Sequence, residues 1–344
     1  MTRGLVRVLA CAVAMSAIAV LPTAAAAASP TKSSKPTTQP VKPTTPPLST
    51  RAKGSMRLYL FDAFFVSHEP VTVPGRVVHV TGIIRPYVPG QWVNVKVFLG
   101  NKLFKRDRLR VKASKKRTYG AFAEKLKVKG AGTVHVEIAH HRNAAQVGFV
   151  ARRNFSVVSP GASVGSRGPY VELIQQRLAA LHFYIHQSGV YDQFTGFAVD
   201  AYHRLLKRGT SSSLDAATAD DLLKGVGSFG VAYPSHGKHV EGDLTRQLLA
   251  LIDKGKVLAI YPISSGKPST PTILGHFRVY LKTPNYLPDG MYFSNFFIRG
   301  YAIHGYDPAP DYPASHGCMR LPIPDAISVY DWLKIGDRVD VYYE

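Results

Sequence analysis

The sequence predicts a multidomain, mainly-β chain: a β-sandwich, then a small three-helix domain, then a second strand-rich domain. Three observations carry this reading. Apolar residues alternate with period two between residues 55 and 158, recur at helical spacing from Gly165 to about Ser228, and return to strand-like runs from about Phe229 to Glu344. A tract of Pro, Thr, Ser and Lys precedes the first strands. The full length of 344 residues also exceeds what one ordinary core accommodates.

The N-terminus reads as an export signal over residues 1–28. Arg3 and Arg7 precede the apolar run Val8–Val20, and Pro22 and the alanines 24–28 supply a small-residue cleavage region. An uncleaved segment acting as a membrane tether is the second reading, because the alanines lengthen the apolar run. Residues 29–54 then have almost nothing to bury and read as an extended linker. The expected location is exported, at the cell wall or otherwise extracytoplasmic, whether secreted or tethered.

Residues 55–158 are assigned to a basic β-sandwich. Val77–Ile83, Val93–Val97, Val134–Ile138 and Phe155–Val158 are β-branched or alternating runs, separated by turns at Pro74-Gly75, Pro89-Gly90 and Gly130-Ala131-Gly132. Short strands at this spacing fit an immunoglobulin-like sandwich used as a spacer, without the disulfide of antibody domains. The net charge of +21 is concentrated at this end of the chain. Residues 56–158 hold nineteen Lys and Arg against five Asp and Glu, whereas residues 159–344 hold seventeen of each sign. The densest runs are Lys105–Arg110 and Lys115–Arg117. In an exported protein such a patch suits anionic wall polymers or lipid headgroups, and nucleic acid is excluded as a partner by compartment. A solvated strand face is the alternative.

Residues 160–228 form the helical segment. Val171, Ile174, Leu178 and Leu181 follow Pro169 at helical spacing. Gly189–Asp192 is a turn, with Thr195 as the expected cap of a second helix carrying Val199, Tyr202 and Leu206. A third, shorter helix fits Asp215–Leu223. The strings Val171–Leu178, Gly189–Thr195 and Ala198–Tyr202 resemble the small peptidoglycan-binding module found beside many wall enzymes. His203 stands where that family usually has Gln. A helical spacer without a ligand is the other reading.

The C-terminal segment, 229–344, holds the chemistry. Lys256–Ile260 reads as a buried strand, Phe277, Val279 and Leu281 alternate, Val339–Tyr343 is a strand, and Pro324–Leu333 a helix. Once a signal carrying Cys11 is removed, Cys318 is the remaining cysteine, in Ser315-His316-Gly317-Cys318-Met319-Arg320-Leu321. Exported proteins ordinarily pair their cysteines, so an unpaired thiol between glycine-flanked histidines reads as a nucleophile. A thiol is little ionised at neutral pH and requires a base. His304, in Ile303-His304-Gly305, can meet Cys318 side by side across strands and is assigned that role. His316, two residues from the thiol, would share its face in an extended strand and line the pocket with Ser315. The amides of Gly317 and Cys318 are candidate oxyanion donors, and Arg320 is placed to orient a carboxylate or brace the loop. A zinc site on His304, His316 and Cys318 is disfavoured by the two-residue ligand spacing. His236 and His239 read as surface histidines. The expected site needs neither metal nor cofactor.

The string Ser315–Pro322 with Ile303-His304-Gly305 resembles the L,D-transpeptidase catalytic domain of YkuD type, supported by Ser264–Lys267, Gly275-His276-Phe277 and Met291-Tyr292-Phe293. Pro271–Gly275 departs from the family's usual loop. The resemblance implies a mainly-β catalytic domain and peptidoglycan stem peptides and glycan as partners. It also implies that the Gly305 carbonyl orients His304, and that 3→3 cross-links form by acyl transfer from tetrapeptide stems. Met291, Tyr292 and Phe293 are candidates for one wall of the donor cleft, with core packing as their alternative. Two other functions stay open at this point: an L,D-carboxypeptidase with the same residues, and a non-catalytic wall-binding protein.

Overall fold

The structure is a computed structural model and describes residues 51–344. The expected signal and nearly all of the linker, through residue 50, lie outside the described residues. The end of the linker is already sheet: the Ala52 amide donates to Ala145 O at 3.0 Å, and the Val147 amide to Ala52 O at 3.2 Å. Among the described residues no helix is long and apolar enough to cross a membrane.

Ten strands follow. They are β1 (Ser55–Phe61), β2 (Phe64–Val66), β3 (Glu69–Thr72), β4 (Val77–Arg85) and β5 (Trp92–Leu99). Then come β6 (Lys102–Arg110), β7 (Lys112–Ala113), β8 (Gly120–Lys127), β9 (Gly132–His140) and β10 (Phe149–Val157). They form a four-stranded sheet, β1-β4-β8-β7, and a six-stranded sheet, β2-β3-β10-β9-β5-β6. The alternating residues Val78, Val80, Val93, Val95, Val134, Val136 and Phe155 fill the space between the sheets. The basic run Lys105–Arg110 lies on β6, an edge strand, where lysines also discourage strand-to-strand association. Part of its charge is engaged: Lys105 pairs with Glu124, and Arg108 lies 5.0 Å over the Trp92 ring.

Three helices come next, α1 (Pro169–Ala180), α2 (Gln193–Leu205) and α3 (Ala216–Lys224). The cap of α2 is Asp192 rather than Thr195. Its carboxylate accepts the Thr195 amide at 2.9 Å, which places Thr195 inside the first turn. Buried Gln175 ties α1 to the intervening turn through Gly189 N, Val190 O and Thr195 Oγ1. His203 is buried too and bonds Ser213 O at 3.0 Å, so it is part of the domain's own packing.

The remaining strands are β11 (His239–Asp243), β12 (Leu248–Asp253), β13 (Lys256–Pro262), β14 (Gly275–Arg278), β15 (Leu281–Tyr286), β16 (Tyr292–Ile298), β17 (Tyr301–Gly305), β18 (Met319–Leu321) and β19 (Arg338–Tyr342), with α4 (Ile323–Trp332) between the last two. One sheet runs β13-β12-β11-β19-β14 and the other β15-β16-β17-β18. Between the sheets lie Val240, Leu249, Leu251, Ile303, Met319, Leu321 and Val339. The opposite face of the first sheet is also covered: Leu248, Ala250, Ile252 and Ile260 share a core with Ile174, Leu178, Val199 and Tyr202 of α1 and α2. That is why β12 is apolar at five successive positions. The contact is polar as well as apolar, because buried Arg204 of α2 donates to Gln247 O at 3.0 Å and Ile263 O at 2.8 Å.

Three expectations change here. Lys256–Ile260 is an edge strand with Leu258 exposed. The alternation Phe277–Leu281 spans a switch between sheets, with Val279 buried and Leu281 exposed. His236 and His239 are not a surface pair: His236 is half-buried and His239 fully buried, donating to Glu241 Oε1 at 3.1 Å and Gly237 O at 2.9 Å. Burial opposes charge on His239, but those two bonds and the negative charges of Glu241 and Asp340 together raise its pKa.

Candidate active site

The parallel pairing of β17 with β18 sets the site. Its register aligns Ile303 with Met319 and His304 with Arg320. Ile303 and Met319 therefore point into the core, where both are fully buried, and the alternate residues His304, Cys318 and Arg320 point the other way. They line one open cavity of about 560 Å³ with Asp289, Met291, Tyr301, Tyr306, Ser315 and His316. Cys318 immediately precedes β18, two positions before the partner of His304. At about 3.3 Å per residue and about 4.8 Å between strands, their Cα atoms lie roughly 8 Å apart on one face, within reach of each other's side chains.

The His304 imidazole is 2 % exposed, and its Nδ1 lies 2.9 Å from Gly305 O. A carbonyl only accepts, so Nδ1 carries the proton and Nε2 keeps a free lone pair. Burial pushes the His304 pKa down to about 4; the Gly305 carbonyl works against this, and nearby Arg320 reinforces it. Burial pushes the Cys318 thiol up, opposed by the Ala302 amide, which donates to Sγ at 3.4 Å, and by Arg320. Both groups are thus neutral at pH 7. The resting arrangement is a thiol that donates to Gly300 O at 3.8 Å and an unprotonated imidazole lining the same cavity, not a preformed ion pair.

The loop before the thiol is held from three sides. Ser315 is fully buried; its hydroxyl donates to Cys318 O at 2.6 Å and accepts the Gly317 amide at 3.0 Å. The Gly317 amide is thereby committed to Ser315, which leaves the Cys318 amide as the remaining candidate oxyanion donor of the two. Gly317 has φ +120, and a Cβ there would stand 1.7 Å from the Tyr301 ring. Ser264–Lys267 forms the third side. Ser264 and Arg320 exchange backbone bonds at 2.9 Å, Ser265 O accepts the Ser315 amide at 2.9 Å, and the Lys267 amide donates to Ser315 O at 2.9 Å. The departing loop still contributes, since Thr272 Oγ1 accepts the Gly266 amide at 2.8 Å.

Of the other expected residues, Met291 and His316 line the cavity, with His316 Nε2 3.3 Å from Lys267 Nζ. Arg320 lies 3.9 Å over the Tyr306 ring, and its buried Nε has no partner. Tyr292 is a correction: it lies outside the cavity lining, tilted against Tyr286 with ring centroids 4.3 Å apart. Sequence reasoning passed over Ala302, Tyr301, Tyr306 and Gln247. The first acts through its backbone, which no side-chain pattern announces. Gln247 braces Ser265 through its amide at 2.8 Å from a different strand pair.

Residues 237–341 match the family of YkuD-type L,D-transpeptidase catalytic domains. The chain belongs to the L,D-transpeptidase family through this segment. It is similar to the solved L,D-transpeptidase of Xylanimonas cellulosilytica, with 31% identity over 53% of this chain and 100% of that one, TM-score 0.48. It is also similar to the Stackebrandtia nassauensis L,D-transpeptidase, with 22% identity over 53% and 95%, TM-score 0.33. The catalytic domain of the Enterococcus faecium L,D-transpeptidase matches with 28% identity over 31% and 98%, TM-score 0.29. No curated protein matches the chain.

Gly317→Ala forces a methyl group into the Tyr301 ring. We expect Cys318 alkylation by iodoacetamide to change at least about tenfold while the far-ultraviolet dichroism stays native, because the clash is local to the loop. An unchanged alkylation rate would show that the loop tolerates a side chain there. The neutral resting pair predicts a pH profile: alkylation of the wild type rises continuously between pH 5 and 9. A plateau beginning below pH 7 would instead reveal a preformed thiolate.

Proposed function

We propose that this protein is a peptidoglycan L,D-transpeptidase that forms 3→3 cross-links through an acyl-enzyme on Cys318. The observation that carries this is the His304 tautomer, fixed by the Gly305 carbonyl, with its free nitrogen in the same cavity as the thiol. Sγ attacks the carbonyl of the third residue of a donor tetrapeptide while its proton passes to His304 Nε2. The C–O π pair becomes an oxyanion received by the Cys318 amide. On collapse the amide C–N bond breaks, and the terminal D-alanine leaves with the proton from His304. The amine of a second stem's third residue then attacks the thioester. It gives its proton to His304, which returns it to sulfur as the S–C bond breaks. Because His304 is neutral down to about pH 4, it can act as base throughout the physiological range. The orphan Nε of Arg320 and its stacked guanidinium suit the carboxylate of the donor stem.

We assign the two preceding domains to wall attachment: the helices to glycan and the basic β-sandwich to anionic wall polymers, with export by the N-terminal segment. The exposed lysines and arginines of β6 and of the Lys115–Arg117 turn support the electrostatic part.

Two experiments test these readings. Incubation with a carbapenem should add the mass of one acyl group, Cys318→Ala should abolish the addition, and His304→Ala should slow it by about 10²–10⁴-fold. No mass gain by the wild type would sink the acyl-enzyme. With tetrapeptide donors, dimers identify the transpeptidase and tripeptide monomers a carboxypeptidase. In the second, retention on purified walls should fall when the anionic polymers are stripped. Equal retention on both would remove the role assigned to the basic sandwich.

A further inference from the structure

Away from the cavity, carboxylates and imidazoles converge where the connection from α3 enters the catalytic sheet. Glu241 on β11 and Asp340 on β19 face each other across a parallel ladder, and both are fully buried. Glu241 is well satisfied, accepting from the amides of Ala232 and Tyr233, the Tyr342 hydroxyl and His239. Asp340 is different. Among the described residues no Lys or Arg pairs with it; His236 Nδ1 lies 2.9 Å from Oδ2 and His276 Nδ1 2.7 Å from Oδ1, with His239 more distant at 4.0 Å. A buried carboxylate without a cation is costly, so this one calls for positive charge from its neighbours or from an ion.

The donor set suits an ion. His236, His276 and Asp340 bring two imidazole nitrogens and a carboxylate oxygen within 4.8 Å of one another. They come from three segments: the 3₁₀ turn Pro234–His236, β14 and β19. Both rings are held in place by Tyr233, which stacks on His236 (centroids 5.0 Å apart, 12° between planes) and meets His276 edge-on at 4.7 Å. Such orientation by surrounding groups is a property of metal sites. Tetrahedral zinc with bonds of about 2.0–2.1 Å separates its ligand atoms by about 3.3 Å. The two nitrogen–oxygen contacts, 2.9 and 2.7 Å, need to lengthen by about half an ångström, while the ligand atoms already lie within 4.8 Å of one another and the half-exposed His276 ring leaves room to adjust.

We propose that His236, His276 and Asp340 bind one zinc ion, with water completing its coordination. The ion would clamp the segment that leads from the helices into β11 onto strands β14 and β19. None of the three residues lines the Cys318 cavity, and the proposal does not depend on the reaction assigned there.

The test uses the full chain carrying Cys318→Ala, so that this sulfur is not a competing ligand. After metal removal and equilibrium dialysis against micromolar Zn²⁺ at pH 7.5, we expect one zinc per chain and a higher Tm than the metal-free protein. His276→Ala, at a half-exposed ring, should weaken binding at least about tenfold and abolish the zinc-induced rise, with the metal-free Tm near that of the parent. His236→Gln should do the same. Absence of bound zinc at about 100 μM in folded protein, or undiminished binding in both variants, would overturn the proposal.

Discussion

Everything at the candidate active site depends on the parallel register of β17 and β18. A shift of one residue would turn His304, Cys318 and Arg320 into the core and bring Ile303 and Met319 to the cavity, because side chains alternate strictly across a strand. The register is locked from the buried side. Met319 sits against Gly242 of the facing sheet, where a Cβ would come within 2.6 Å of its sulfur. A core contact thus fixes which residues face the cavity. Parallel pairing also explains the sequence distance between thiol and base, since parallel neighbours need a crossover or a long loop between them.

Around this pair the protein places hydrogen bonds where charge will develop rather than where it already exists. Burial keeps both the thiol and the imidazole neutral, and the Ala302 amide already points at sulfur. The cavity therefore offers hydrogen bonds to a sulfur anion without holding a reactive thiolate at rest, which limits oxidation of the thiol. Ser315 connects the two requirements, since one hydroxyl holds the turn closed and fixes the Cys318 carbonyl.

Much of this was legible in the sequence. The switches of period located the strands and helices, and the unpaired thiol with His304 marked out two residues that the structure brings to one cavity. The misreadings share a cause. Thr195 and Asp192 are both competent caps, and only the backbone geometry selects Asp192. Tyr292 sits in the right motif on a strand, but packing beside Tyr286 turns it away from the cavity. The Gly317 amide looked free because a hydrogen bond from two residues away does not show in a linear pattern. Pairwise contacts between distant segments, such as Tyr233 with His236 and His276, lie beyond any periodicity.

The double burial of β12 has a consequence for where this enzyme begins. The family resemblance starts at residue 237, yet Leu248, Ile252 and Ile260 complete a core whose other half is α1 and α2. Exposing three such side chains would forfeit roughly 5–9 kcal/mol, comparable with the ~5–15 kcal/mol that holds a typical domain together. The unit of inheritance and the unit of folding are therefore different lengths of chain. Evolution exchanging catalytic segments at the edge of the resemblance would deliver a sheet with one bare apolar face, so the helices and the thiol are bound to travel together.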